Sequence, residues 1–105
     1  MFTQSFIIEN AKIRNYLTQT TAVESALVGT DLEIVVEQLM KLTDIQRGIS
    51  AYIRAFNQRV EDRKMGLEEH LLLKQLRLAS TRVHSVGVHI SYLYEQLKQE
   101  YLQSN

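Results

Sequence analysis

The sequence predicts an all-α protein, a long antiparallel helical hairpin with a shorter N-terminal helical segment, completed as a helical bundle by dimerisation. Three observations carry this prediction. The 105 residues contain no proline and only four glycines, so little in the chain interrupts a helix. Two long stripes of apolar residues recur at spacings of three and four, the period of a helix face. Between them Gly66 follows the basic pair Arg63 and Lys64 and precedes the acidic pair Glu68 and Glu69. That order of charge suits the negative end of one helix dipole and the positive end of the next.

A chain of this length suits one small domain, residues 1–105. Within it the pattern divides into an N-terminal helical segment over 4–28, a first arm over 31–64 and a second arm over 67–102. In the N-terminal segment Phe6, Ile13 and Leu17 form a short stripe. The run "TQTT" at 18–21 suggests a break before a small helix led by Thr21 and Glu24, so one or two short helices are expected there, packed on the hairpin.

The first arm carries the stripe Leu32, Val35, Leu39, Leu42, Ile45, Ile49, Ile53, Phe56 and Val60. Its start is marked by "GTDLE", where Thr30 can cap the free amides, Glu33 can reach back, and Gly29 can end what precedes. Inside the arm, "LTDIQRG" at 42–48 offers a second capping box through Thr43 and Gln46, and Gly48 can loosen the helix. Whether the arm breaks between Thr43 and Gly48 stays open at this point. Residues 64–67 read as the tip, with Gly66 in the left-handed conformation that ends many helices. Arms of about 34 and 36 residues would each run roughly 50 Å at 1.5 Å per residue.

The second arm has the strongest pattern. Leu72, Leu76, Ala79, Val83, Val86, Ile90, Leu93 and Leu97 follow one another at alternating spacings of four and three, which is a heptad seam. Leu71, Leu73, Leu78, Val88, Tyr92 and Tyr94 project from other sides, more apolar surface than one facing helix covers. Ser80 and Gly87 are small enough beside the seam to admit a neighbouring backbone. A second chain is the expected cover, and Leu71, Leu78, Val83, Val86, Ile90, Leu93 and Leu97 are the expected interface.

Composition narrows the function. There is no cysteine, which removes disulfides, thiolate metal sites and a cysteine nucleophile. No secretory signal pattern opens the chain and no run approaches a membrane span, so a soluble, unprocessed cytoplasmic protein that does not associate with membranes is expected. Net charge is zero, yet residues 47–82 hold eight basic and four acidic residues while residues 1–46 hold three and six. The basic excess therefore falls in the half of the hairpin nearer its tip.

Catalytic patterns are missing: no glycine-rich phosphate loop, no HExxH, no GxSxG, and no pair of carboxylates in an apolar setting. His70 with Lys74 one turn on invites comparison with a phospho-accepting helix, but "HLLLKQL" lacks the lysine–glycine–small pattern such helices carry. His70 and His84 share a face about 21 Å apart at helical rise, and His84 and His89 diverge, so no metal and no cofactor is expected. The basic residues form a candidate surface for an anionic partner: Lys74, Arg77 and His84 run along the second arm with His70, and Arg47 and Arg54 along the first.

These readings converge on a non-enzymatic protein–protein interaction module, such as a small helical chaperone, adaptor or assembly subunit, whose partner is a second copy or another helical protein. The alternative is a small nucleic-acid-binding regulator that uses the basic half near the tip.

Overall fold

The computed structural model describes residues 1–28, 31–61 and 63–103. They form three helices, α1 (Gln4–Ser25), α2 (Leu32–Val60) and α3 (Leu67–Gln103), with no strand among the described residues. Each helix packs against both others in a body 59 × 25 × 15 Å.

α1 begins at Thr3, whose side chain accepts from Phe6 N at 3.2 Å. The same hydroxyl donates to the Glu68 carboxylate, and the Thr3 N–H donates to Glu68 Oε2 at 2.7 Å, so one residue caps α1 and ties it to the first turn of α3. The break expected at 18–21 does not occur. α1 runs unbroken for 22 residues, because the hydroxyls that could have started a new helix donate backwards instead. Thr18, Thr20 and Thr21 bond the carbonyls of Arg14, Tyr16 and Leu17, each four residues earlier. This satisfies them within the helix they were expected to end, and it lets Thr20 sit fully buried.

α2 is capped by Asp31, whose Oδ1 accepts from Ile34 N at 3.0 Å. The expected cap Thr30, and Gly29 before it, lie outside the described residues. Glu33 stands in the first turn, where its charge complements the dipole. The helix continues through Thr43–Gly48, with Thr43 donating to Leu39 O at 2.9 Å. Gly48 has a packing role: a Cβ there would lie 2.9 Å from both Cε1 and Oη of Tyr16, so the missing side chain is what lets the tyrosine of α1 lie on α2.

α2 ends at Val60, four residues before the expected boundary. Arg63 donates to Arg59 O at 3.2 Å, which covers a carbonyl of the last turn, and its guanidinium pairs with Glu69 across the link. The expectation that Gly66 takes a left-handed φ is wrong, since its φ falls outside that region and a Cβ would have open space, with Glu69 Oε1 nearest at 4.0 Å. Gly66 acts at the start of α3. Its carbonyl accepts from His70 N and its N–H donates to Glu69 Oε1 at 3.0 Å, half of a capping box.

One core runs through the molecule. Phe6, Ile13, Val23 and Leu27 enter from α1 and the turn after it, Val35, Leu42, Ile45, Ile49 and Phe56 from α2, and Leu72, Leu76, Ala79, Val83, Val86 and Ile90 from α3. The first six heptad positions of α3 are thus all buried. Tyr16 against Gly48, and Glu9 against Tyr52 and Arg59, show that α1 and α2 run in opposite senses. Thr3 against Glu68 and Glu24 against Arg82 show that α1 and α3 run in the same sense. Gly87 meets α2 at Leu42 and Gln46.

Candidate functional site

Three places in the fold offer something beyond packing. The first is a cleft of about 410 Å³ beside the 61–66 link, lined by Thr3, Phe6, Glu9, Arg59 and Glu68 among others. At its wall Glu9 Oε1 accepts from the Tyr52 hydroxyl and from Arg59 Nη1, both at 2.7 Å, and Arg59 stacks over the Phe56 ring at 5.1 Å from its centre. Burial raises the Glu9 pKa, but the Tyr52 hydroxyl and the Arg59 guanidinium outweigh it and hold the carboxyl below its ordinary value. Burial and the Glu9 carboxylate push Tyr52 far above the ordinary tyrosine value. Glu9 is thus held as a carboxylate that accepts from the Tyr52 hydroxyl and the Arg59 guanidinium. The arrangement fastens α1 to α2.

The second is an open groove between α1 and α2, also about 410 Å³, with Tyr16, Val23 and Ile45 on its floor side and Gln38, Lys41 and Asp44 from α2. It has an apolar lining, but no charged side chain is buried within it.

The third is the side of α3 turned away from the core. Leu67, Leu78, Val88, Tyr92 and Leu102 are exposed there, from 53% at Leu78 to 72% at Leu67. Two shallow concavities lie along the same helix: one holds His70, Lys74 and Arg77, the other Tyr92, Glu95 and Glu100. A basic hollow and an acidic hollow thus share one helix, with exposed Ser85 between them.

The residues expected at an interface fall into three groups. Val83, Val86 and Ile90 are buried in the chain's own core, where α1 and α2 already cover the seam. Leu71, Leu93 and Leu97 are half-buried against that core, and Leu78 is exposed. Of the expected anionic-partner surface, all five residues are exposed. Lys74 and Arg77 come together in the basic hollow, His84 lies beside Leu42 and Gly87 in a separate recess between α2 and α3, and Arg47 stands 4.0 Å from Asp44. Arg54 joins none of these. The structure adds Leu67 and Leu102 to the exposed face of α3, and the sequence signal for them is a second heptad series displaced from the first.

Among the described residues no three His, Asp or Glu side chains converge in a way that could hold a metal ion, and no helix is long and apolar enough to cross a membrane. Set against protein-family models, curated proteins and solved structures, the chain matches none. What defines the molecule is its own geometry, an all-helical, bundle-like fold with an apolar, charge-divided outer helix face.

Proposed function

We propose that this chain is a non-enzymatic protein–protein interaction module, a small helical adaptor, chaperone or assembly subunit acting in the cytoplasm, with α2 and α3 as an antiparallel hairpin that presents the outer face of α3. One observation carries the reading: the three helices already complete a core, yet α3 keeps large apolar side chains in water along its opposite side. A solvated helix face has no need of Leu67, Leu78, Val88 and Tyr92 in one line, and such a face marks a binding surface.

The experiment is to replace Leu78 and Val88 together by glutamate. Both side chains are exposed, so helix content and thermal midpoint should be unchanged within error, while complexes of the chain, alone or in extract of its native host, should be lost. Complexes that persist in the double variant would refute the face. A second reading, nucleic-acid binding, draws support from Arg54, Lys74 and Arg77, which have no ion pair among the described residues. It requires binding to heterologous DNA or RNA that falls steeply between about 50 and 200 mM salt, and no binding at the lower salt removes it.

A further inference from the structure

The outer face of α3 has an order of its own. From Leu67 to Leu102 its residues recur at alternating spacings of four and three, so each outer position stands five residues before a seam position, as Leu67 stands before Leu72 and Leu78 before Val83. Five residues turn a helix by about 140° beyond a full circle at 3.6 residues per turn. The second series therefore points away from the core while keeping the period that lets two helices interdigitate along their whole length.

We propose that this series docks on the same series of a second copy of the chain, antiparallel, about a two-fold axis at Ser85. The inference rests on the reading of the chain as an interaction module and names its partner. What selects a second copy is that the series is complementary to its own reverse. With the axis beside Ser85, Leu78 falls opposite the copy's Tyr92, and Leu67 falls within one residue of the copy's Leu102. Thr81 lies within one residue of the copy's Val88, so the short side chains Ser85, Thr81 and Val88 occupy the central turns where the helices approach most closely. Leu71 and Gln99 form a mixed pair, and Leu71 is already half-buried in its own chain.

Charge completes the match. Lys74 falls within one residue of the copy's Glu95, in reach of a long side chain, and by symmetry the pair forms twice. Both side chains are exposed, and among the described residues neither has an ion pair within its own chain. The basic hollow of one copy, with Arg77 beside Lys74, meets the acidic hollow of the other, with Glu100 beside Glu95. A parallel pairing would set Lys74 on Lys74 and Glu95 on Glu95. The antiparallel arrangement is also closed: each copy uses the same patch, so assembly stops at two.

The test uses the full chain by sedimentation equilibrium, with helix content checked for each variant. The wild type should weigh about twice 12.2 kDa. Lys74→Glu and Glu95→Lys each turn two attractions into two repulsions and should weaken self-association about tenfold. Mixed in equal amounts, the two variants should recover wild-type association, because both cross pairs are again of opposite charge. The chain has no cysteine, so Ser85→Cys should give a disulfide-linked dimer on mild oxidation, while Ser50→Cys, exposed on α2, should not. A wild type that stays monomeric at all accessible concentrations overturns the self-docking and leaves the interaction-module reading to a different helical partner. A dimer indifferent to both charge reversals, with no linkage through position 85, overturns the register.

Discussion

Gly48→Ala sets two effects of similar size against each other, and the structure says which should win. In a helix interior, replacing glycine by alanine gains about 1 kcal/mol of propensity. At this position the new methyl carbon would lie 2.9 Å from Cε1 and Oη of Tyr16 and 3.2 Å from Cζ, about 1 Å inside ordinary contact. The ring must move, and overpacking of this kind costs about 1–3 kcal/mol. The net expectation is a loss of roughly 0–2 kcal/mol in the wild-type background. With Tyr16→Ala the obstacle is gone, and the same substitution should stabilise the chain by about 1 kcal/mol. Four proteins, the wild type, each single variant and the double, unfolded in urea at one concentration and followed by far-ultraviolet circular dichroism, give the coupling energy directly. It should be about 1–3 kcal/mol. A coupling within about 0.5 kcal/mol of zero, with Gly48→Ala stabilising in both backgrounds, would refute the account of Gly48 as the seat of Tyr16.

Three further outcomes are expected. Ile13 is fully buried, so Ile13→Ala should cost about 2–5 kcal/mol in the same urea assay. Asp31→Ala removes the acceptor for Ile34 N and should cost about 1 kcal/mol, whereas Asp31→Ser should recover most of it. Glu9 has a folded-state pKa below its ordinary 4.5, so its contribution is fully present above that value and is lost as pH falls through the lower folded-state value. An acid titration of stability should accordingly flatten in Glu9→Gln, and an unchanged profile would remove Glu9 as the fastening between α1 and α2.

The parts of this fold that were legible in the sequence are those with a local or periodic signature. The heptad run from Leu72 to Ile90 is buried throughout, because a 3.5-residue period offers one face to a neighbour. The start of α2 was placed within one residue, but "GTDLE" contains two residues able to cap, and only the path of the backbone decides for Asp31. The threonines at 18–21 were misread because a hydroxyl that can start a helix can equally bond the carbonyl four residues back. Gly66 was misread because opposite charges about a glycine mark a change of helix without saying on which side the glycine serves. Contacts between distant positions left no trace: Tyr52 and Arg59 lie 43 and 50 positions from Glu9. At the candidate site, Leu78, Val88 and Tyr92 were visible as an excess of apolar surface. Val83, Val86 and Ile90 were assigned to a partner because sequence period does not distinguish a helix of the same chain from one of another.

The bonds from Thr3 to Glu68 join positions 65 apart, whereas Arg63 and Glu69 are 6 apart. Closing the longer loop costs about 2 kcal/mol more in chain entropy, taking the cost as (3/2)RT ln n. The contact at the link can therefore form while α1 is still undocked, and the Thr3 clasp gains its partner only after the first turn of α3 exists. In the native state the order reverses: α1 is the element that can lift away with α2 and α3 still joined. Its amides should exchange with solvent deuterium through an opening smaller than global unfolding, and the cleft at the link should be uncovered for as long as that opening lasts.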